Sequence, residues 1–135
     1  MKNEELVQMA KEVKKNSYSP YSHFRVGAAL LTKGGKVYTG VNVENASFGG
    51  TNCAERTAIF KAVSEGEHEF EKIAISIDSD NMGYPCAICL QVMSEFCDDD
   101  FKILVSNKEG EFKEVTLKDL LPQAFRKKDL DDFVK

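Results

Sequence analysis

The sequence predicts an α/β fold: a single three-layer α/β/α domain built on a mixed five-stranded sheet. Three observations carry this reading. Segments with helical apolar spacing alternate with short apolar runs, the pattern of a layered α/β domain. Two pairs of runs are joined by short Gly-containing connections, Lys33-Gly34-Gly35-Lys36 and Lys108-Glu109-Gly110, so hairpins must sit beside any parallel pairing. The 135 residues contain no linker, internal repeat or low-complexity tract, which makes residues 1–135 one unit, long enough to bury a core without disulfides.

Each element follows from local pattern. Residues 3–16 carry Leu6, Val7, Ala10 and Val13 at helical spacing among Lys and Glu, which predicts an amphipathic helix. Ser17 to Phe24, with Pro20 and several Ser, reads as loop. Arg25 to Thr32 and Val37 to Val41 form the first hairpin. A helix is expected from about Asn52 to Glu65, stopped by Gly66. Ile73 to Ile77 reads as a buried strand, and Pro85 opens a helix reaching Phe96. Lys102 to Ser106 and Glu114 to Thr116 supply two more strands, and Leu117 to Leu121 a helical turn before Pro122.

Composition narrows the function classes. A net charge of −4 and a pI near 5.2 argue against general affinity for nucleic acid or anionic membranes. No apolar run approaches the roughly 20 residues of a membrane span, and the charged start Met1-Lys2-Asn3-Glu4-Glu5 has no signal-peptide character. Four cysteines without such a signal fit a reducing compartment, so the cytoplasm is expected.

The chemistry is concentrated in Cys53-Ala54-Glu55-Arg56 and Pro85-Cys86-Ala87-Ile88-Cys89. Together they supply three thiolates for a metal and one carboxylate that is not a ligand. Catalytic zinc needs three protein ligands, an open position and a nearby base. Zinc-dependent nucleobase deaminases carry nearly this signature. Both motifs fall at expected helix starts, where unpaired amides and the helix dipole favour thiolates. Cys86 and Cys89, three apart, share a helix face.

Blander readings exist for each piece. Asn52-x-x-Glu55 is also a capping-box spacing, Cys86-x-x-Cys89 a redox-pair spacing, and a lone Cys53 a small core residue. None of these explains all four residues. A structural zinc needs a fourth ligand, yet Cys97 lies eight residues beyond Cys89, about 12 Å along a helix. That is too far for a Zn–S bond of about 2.3 Å. Cys97 therefore reads as core, and His23 and His68 fall outside both motifs.

Over nearly its whole length the chain resembles the small homotetrameric cytidine deaminases. The resemblance rests on Tyr18-Ser19-Pro20-Tyr21-Ser22 with Phe24-Arg25-Val26-Gly27-Ala28-Ala29-Leu30, on Asn42-Val43-Glu44-Asn45-Ala46-Ser47, on the two cysteine motifs with Gln91, and on Leu120-Leu121-Pro122 followed by Phe125. It implies hydrolytic removal of the 4-amino group of cytidine and deoxycytidine, with one zinc per chain on Cys53, Cys86 and Cys89 and Glu55 as proton carrier. It further implies that Arg56 hydrogen-bonds a ligand sulfur and offsets its charge, and that Asn42 and Glu44 bind the ribose. Phe24, Phe48 and Phe125 are the expected aromatics around the nucleoside, and backbone near Ala54 the expected reader of the pyrimidine edge. A homotetramer whose subunits share active sites completes the expectation, with Phe125 reaching a neighbour's ligand.

Three positions depart from the family pattern. Phe48 stands where many relatives have Tyr, Ala87 where Gly is common, and Leu90 where Arg is common. Leu90 removes a positive charge beside a ligand and leaves Arg56 as the one Arg in either motif. A deaminase of the antibiotic blasticidin S is disfavoured by Phe24 to Ala29 and by Phe125, and a polynucleotide deaminase by the lack of a basic stripe. A zinc-stabilised binding domain with a decayed site is disfavoured by intact Glu55.

Overall fold

A computed structural model of the chain describes residues 1–131; the last four residues of the expected 1–135 unit lie outside it. The element order is α1 (Asn3–Val13), β1 (Val26–Thr32), β2 (Val37–Val41), α2 (Ala54–Ser64), β3 (Phe70–Ile77), α3 (Ala87–Phe96), β4 (Lys102–Ser106), β5 (Phe112–Thr116), α4 (Leu117–Leu120) and α5 (Lys127–Leu130). The strands form one sheet in the order β2-β1-β3-β4-β5. Only β3 and β4 run parallel; the other neighbours are antiparallel. The mixed five-stranded sheet is as expected.

Both sheet faces are covered, which explains why the central strands read as continuous apolar runs. On one face Leu6, Val7 and Ala10 of α1 pack with Ala29, Leu31, Ala74 and Leu104. On the other, Ala58, Ile59 and Ala62 of α2 and Leu90 and Met93 of α3 pack with Leu30, Ile73, Ile75 and Ile103. Two glycines let the helices approach. A Cβ on Gly40 would lie 2.5 Å from Ala58 N and 2.6 Å from Ala54 O, so α2 rests directly on β2. One on Gly27 would lie 2.1 Å from Ala10 O, which seats α1 on β1.

Several boundaries move. The first helix is α-helical only to Val13 and tightens to a 3₁₀ turn over Lys14–Asn16. The third strand starts at Phe70 and the fifth at Phe112, because backbone pairing extends past the apolar residues that marked them. Helix α2 begins after Asn52 because Val43 and Asn52 pair through their backbones (2.9 and 3.0 Å) while the Asn52 side chain donates to Thr57 Oγ1 at 3.1 Å. The capping-box reading of Asn52 is thereby displaced: Cys53 is the N-cap. A 3₁₀ turn at Phe48–Gly50 and helix α5 had no sequence signal.

Candidate active site

Two helix starts converge at one end of the sheet. Helix α3 is the crossover between parallel β3 and β4, so its N-terminus faces the carboxyl end of β3, the usual ligand-binding edge of such a sheet. Helix α2 brings its own N-terminus to the same place. Cys53 and Cys86 are the two N-caps and Cys89 lies in the first turn of α3. The N-cap position moves Cys53 and Cys86 one residue outside the helices that the spacing assigned them to, without separating them.

The three sulfurs fit a tetrahedral metal. Cys53 Sγ lies 3.8 Å from Cys86 Sγ, and Cys86 Sγ 3.6 Å from Cys89 Sγ; all three ligand atoms lie within 4.8 Å of one another. Thiolates bound at about 2.3 Å on tetrahedral zinc stand about 3.8 Å apart. All four cysteines are free of disulfides. Cys97, at the end of α3, is buried, and burial pushes its thiol up to about 12, as befits a core residue.

Charge around the cluster is set by Arg56 and Glu55. Arg56 Nη2 donates to Cys53 Sγ at 3.1 Å. Hydrogen bonding with Cys89, then with Arg56, pulls the Cys53 thiol down to about 5 against the opposing effect of burial. Cys89 is pushed upward by the same shared bond and by its burial. Glu55, 4 % exposed, is pushed up to about 7, first by burial and then by the Cys53 charge. A carboxylate poised near neutrality is suited to accepting and returning a proton.

The cluster opens onto a cavity of about 540 Å³. Phe24, Asn42, Glu44, Cys53, Ala54, Glu55 and Cys86 all line it. Asn42 Oδ1 accepts from Ser17 Oγ and from Val26 N (3.0 Å), while its Nδ2 donates to Phe24 O at 2.8 Å. Glu44 accepts from the Tyr21 and Ser22 amides at 3.0 and 3.1 Å and from the Ser22 hydroxyl. The Ser22 bond and its amide hold the Glu44 carboxyl below its ordinary range. Asn42 lies just past β2, and extended pairing continues through Val43, so Asn42 and Glu44, two residues apart, share a side.

Two expected aromatics stand apart. Phe48, 80 % exposed, lines an adjoining cavity of about 410 Å³ that shares Ser22 and Glu44 with the first. Phe125 lines neither cavity and is half-exposed. Its carbonyl accepts from Gln91 Nε2 at 2.7 Å, and the next residue, Arg126, donates to Cys97 O and Asp99 Oδ1. Leu90, which stands where Arg is common in the family, is buried in the apolar core. The sequence reading missed Ile75, Ile77, Met82 and Tyr84 as cavity walls. The signal available was their place at the carboxyl end of β3 and in the loop before Pro85.

A trithiolate cluster at two helix ends, with a buried non-ligating Glu beside it, defines the zinc-dependent deaminase class of site. Comparison with known proteins gives the family. Residues 1–105 match the cytidine and deoxycytidylate deaminase zinc-binding region. A cytidine deaminase from Halalkalibacterium halodurans is 47 % identical over 132 residues, 98 % of this chain and all of that protein. One from Sporosarcina psychrophila is 45 % identical over 94 % of this chain and 93 % of its own. The crystal structure of a cytidine deaminase from Burkholderia pseudomallei superposes with a TM-score of 0.89 at 43 % identity, covering 93 % of this chain and all of that one. The chain belongs to the cytidine and deoxycytidylate deaminase family, and its cysteine cluster fits one zinc per chain.

Proposed function

We propose that this protein converts cytidine and deoxycytidine with water to uridine and deoxyuridine plus ammonia, with Glu55 as the proton carrier. The observation that carries the assignment is a buried carboxylate that lines the same cavity as Cys53 and Cys86, beside three sulfurs that all lie within 4.8 Å of one another. Cys53, Cys86 and Cys89 are the ligands. Zinc, when bound, supplies a Lewis acid able to bring the pKa of a water from ~15.7 towards ~7.

Glu55 then takes a proton from the attacking water and delivers it to the ring N3. It returns a proton to the departing amine, so one carboxylate serves as base and acid. Arg56 offsets thiolate charge through its bond to Cys53. Burial of Glu55 keeps bulk water from competing for its proton.

Sugar recognition follows from what Asn42 and Glu44 have left over. A carboxylate offers about four acceptor positions and an amide two N–H donors and two acceptor positions. Glu44 uses three of its acceptor positions, and Asn42 uses both acceptors and one N–H within the chain. One acceptor and one donor remain, the complement of a single hydroxyl, which we read as the ribose 3′-hydroxyl. Phe24 supplies an apolar wall, backbone at Ala54 the pyrimidine edge, and Phe48 a flank without the phenolic oxygen common in relatives.

Phe125 is read as serving a neighbouring subunit of a homotetramer. Support comes from its half-exposed ring outside its own cavity, together with exposed Phe48, Phe60 and Ile88; large apolar groups left in water mark contact surfaces. Among the described residues no helix is long and apolar enough to cross a membrane, and the free cysteines fit the cytoplasm. The test is incubation with cytidine while ammonia, uridine and bound zinc are measured. Equimolar uridine and ammonia from a protein with one zinc per chain is the expected result. No deamination by the zinc-loaded protein overturns the proposal.

A further inference from the structure

Ser22 stands at a junction that the mechanism leaves unused. Its hydroxyl donates to Glu44 Oε2 and accepts from the Phe24 amide at 3.0 Å. Its own amide donates to Glu44 Oε1, beside that of Tyr21. The next residue, His23, is the one non-glycine among the described residues with positive φ, at 60°. Such a backbone costs energy for most residues and less for His. Here it reverses the chain so that the Phe24 amide returns to the Ser22 hydroxyl. Ser22 also lines both cavities.

We propose that Ser22 is a positioning residue for sugar recognition: its hydroxyl fixes the Glu44 carboxylate so that the one remaining acceptor position faces the nucleoside cavity. The two backbone amides both bind Oε1 and leave the carboxylate free to swing about that oxygen. The Ser22 hydroxyl binds Oε2 and removes that freedom. Without it, the second oxygen is free to turn to bulk water, and the sugar hydroxyl loses a prealigned partner. This assignment rests on the reading of Glu44 as the acceptor of a sugar hydroxyl.

The experiment measures inhibition constants of uridine and 3′-deoxyuridine against cytidine turnover, in wild type and in Ser22→Ala, Ser22→Thr and Glu44→Gln proteins. Ser22→Ala should weaken uridine about 3- to 10-fold, the range of one hydrogen bond. It should leave 3′-deoxyuridine within about twofold of wild type, and Ser22→Thr should restore uridine binding. Equal weakening of both ligands by Ser22→Ala overturns the proposal, since the hydroxyl would then act only through Phe24 and the loop. An unchanged uridine constant overturns it too. Glu44→Gln separates the premise: if it fails to discriminate between the two ligands, the reading of Glu44 is wrong. If it discriminates and Ser22→Ala does not, only the role of Ser22 is wrong.

Discussion

At the residue scale the site is a matter of which atoms hold charge. Three thiolates can share one ion only while each is deprotonated, and the helix ends and Arg56 favour that form. Removing one ligand should therefore cost metal and stability together, because ligation couples to folding. Cys86→Ala is expected to retain well under one zinc per chain and to unfold at lower temperature; full zinc occupancy by elemental analysis would remove Cys86 from the ligand set. Arg56 acts more gently. Arg56→Gln should fold, yet lose on the order of 10- to 100-fold in zinc affinity or turnover, as happens when a residue hydrogen-bonded to a metal ligand is changed. Unchanged values in both would reduce Arg56 to a solvated helix residue. These residues were legible because a metal fixes both residue type and spacing. The hydrogen bonds of Asn42 and Glu44 were not, because all their partners but Val26 come from the loop before β1, which has no periodicity.

At the element scale, the site depends on how the helices and loops are pinned to the sheet. Gly40 and Gly27 allow the close approach of α2 and α1. An ion pair between buried Lys14 and the partly exposed Asp78 then holds the end of the first helical segment. Lys14, 5 % exposed, reaches Asp78 Oδ1 at 2.9 Å, Ser76 Oγ and the Ile77 carbonyl, while Arg25 Nε meets the other oxygen of Asp78 at 2.5 Å. Burial alone would raise the Asp78 pKa, but the hydrogen bonds and charges of Lys14 and Arg25 outweigh it and hold the carboxyl low. The sign follows directly. A carboxylate with a depressed folded pKa stabilises the fold above its unfolded value, near 3.9, and loses that contribution as pH falls through the folded value. The stability difference between wild type and Asp78→Asn should therefore shrink from about pH 5 to about pH 3 in chemical denaturation. A difference independent of pH would mean that the carboxylate charge contributes nothing. Helix identities and the hairpins were readable from periodicity and glycine. Their starts were not, because a backbone bridge such as Val43 with Asn52 is set by tertiary pairing.

At the scale of the whole molecule, one chain leaves Phe125, an expected nucleoside-contacting aromatic, outside its own cavity. Phe125 is held by Gln91 and followed by an anchored Arg126 at the far end of α3. The family resemblance pointed to this separation, but periodicity and spacing did not, because it arises where a chain end folds back across a helix. Subunit exchange tests the shared site. Mixing Glu55→Gln chains with Phe125→Ala chains should give activity above the sum of the two alone, since some mixed sites regain both intact groups. No gain after demonstrated exchange would confine Phe125 to its own subunit.

The central claim is that Glu55, rather than a ligand or a helix cap, moves the protons. Glu55→Gln keeps shape and hydrogen bonding but carries no proton at neutral pH. Its kcat on cytidine, measured together with zinc content, tests the claim most directly. The account predicts about one zinc per chain and a loss of at least ~10²-fold in kcat. Near wild-type kcat with zinc in place would contradict it.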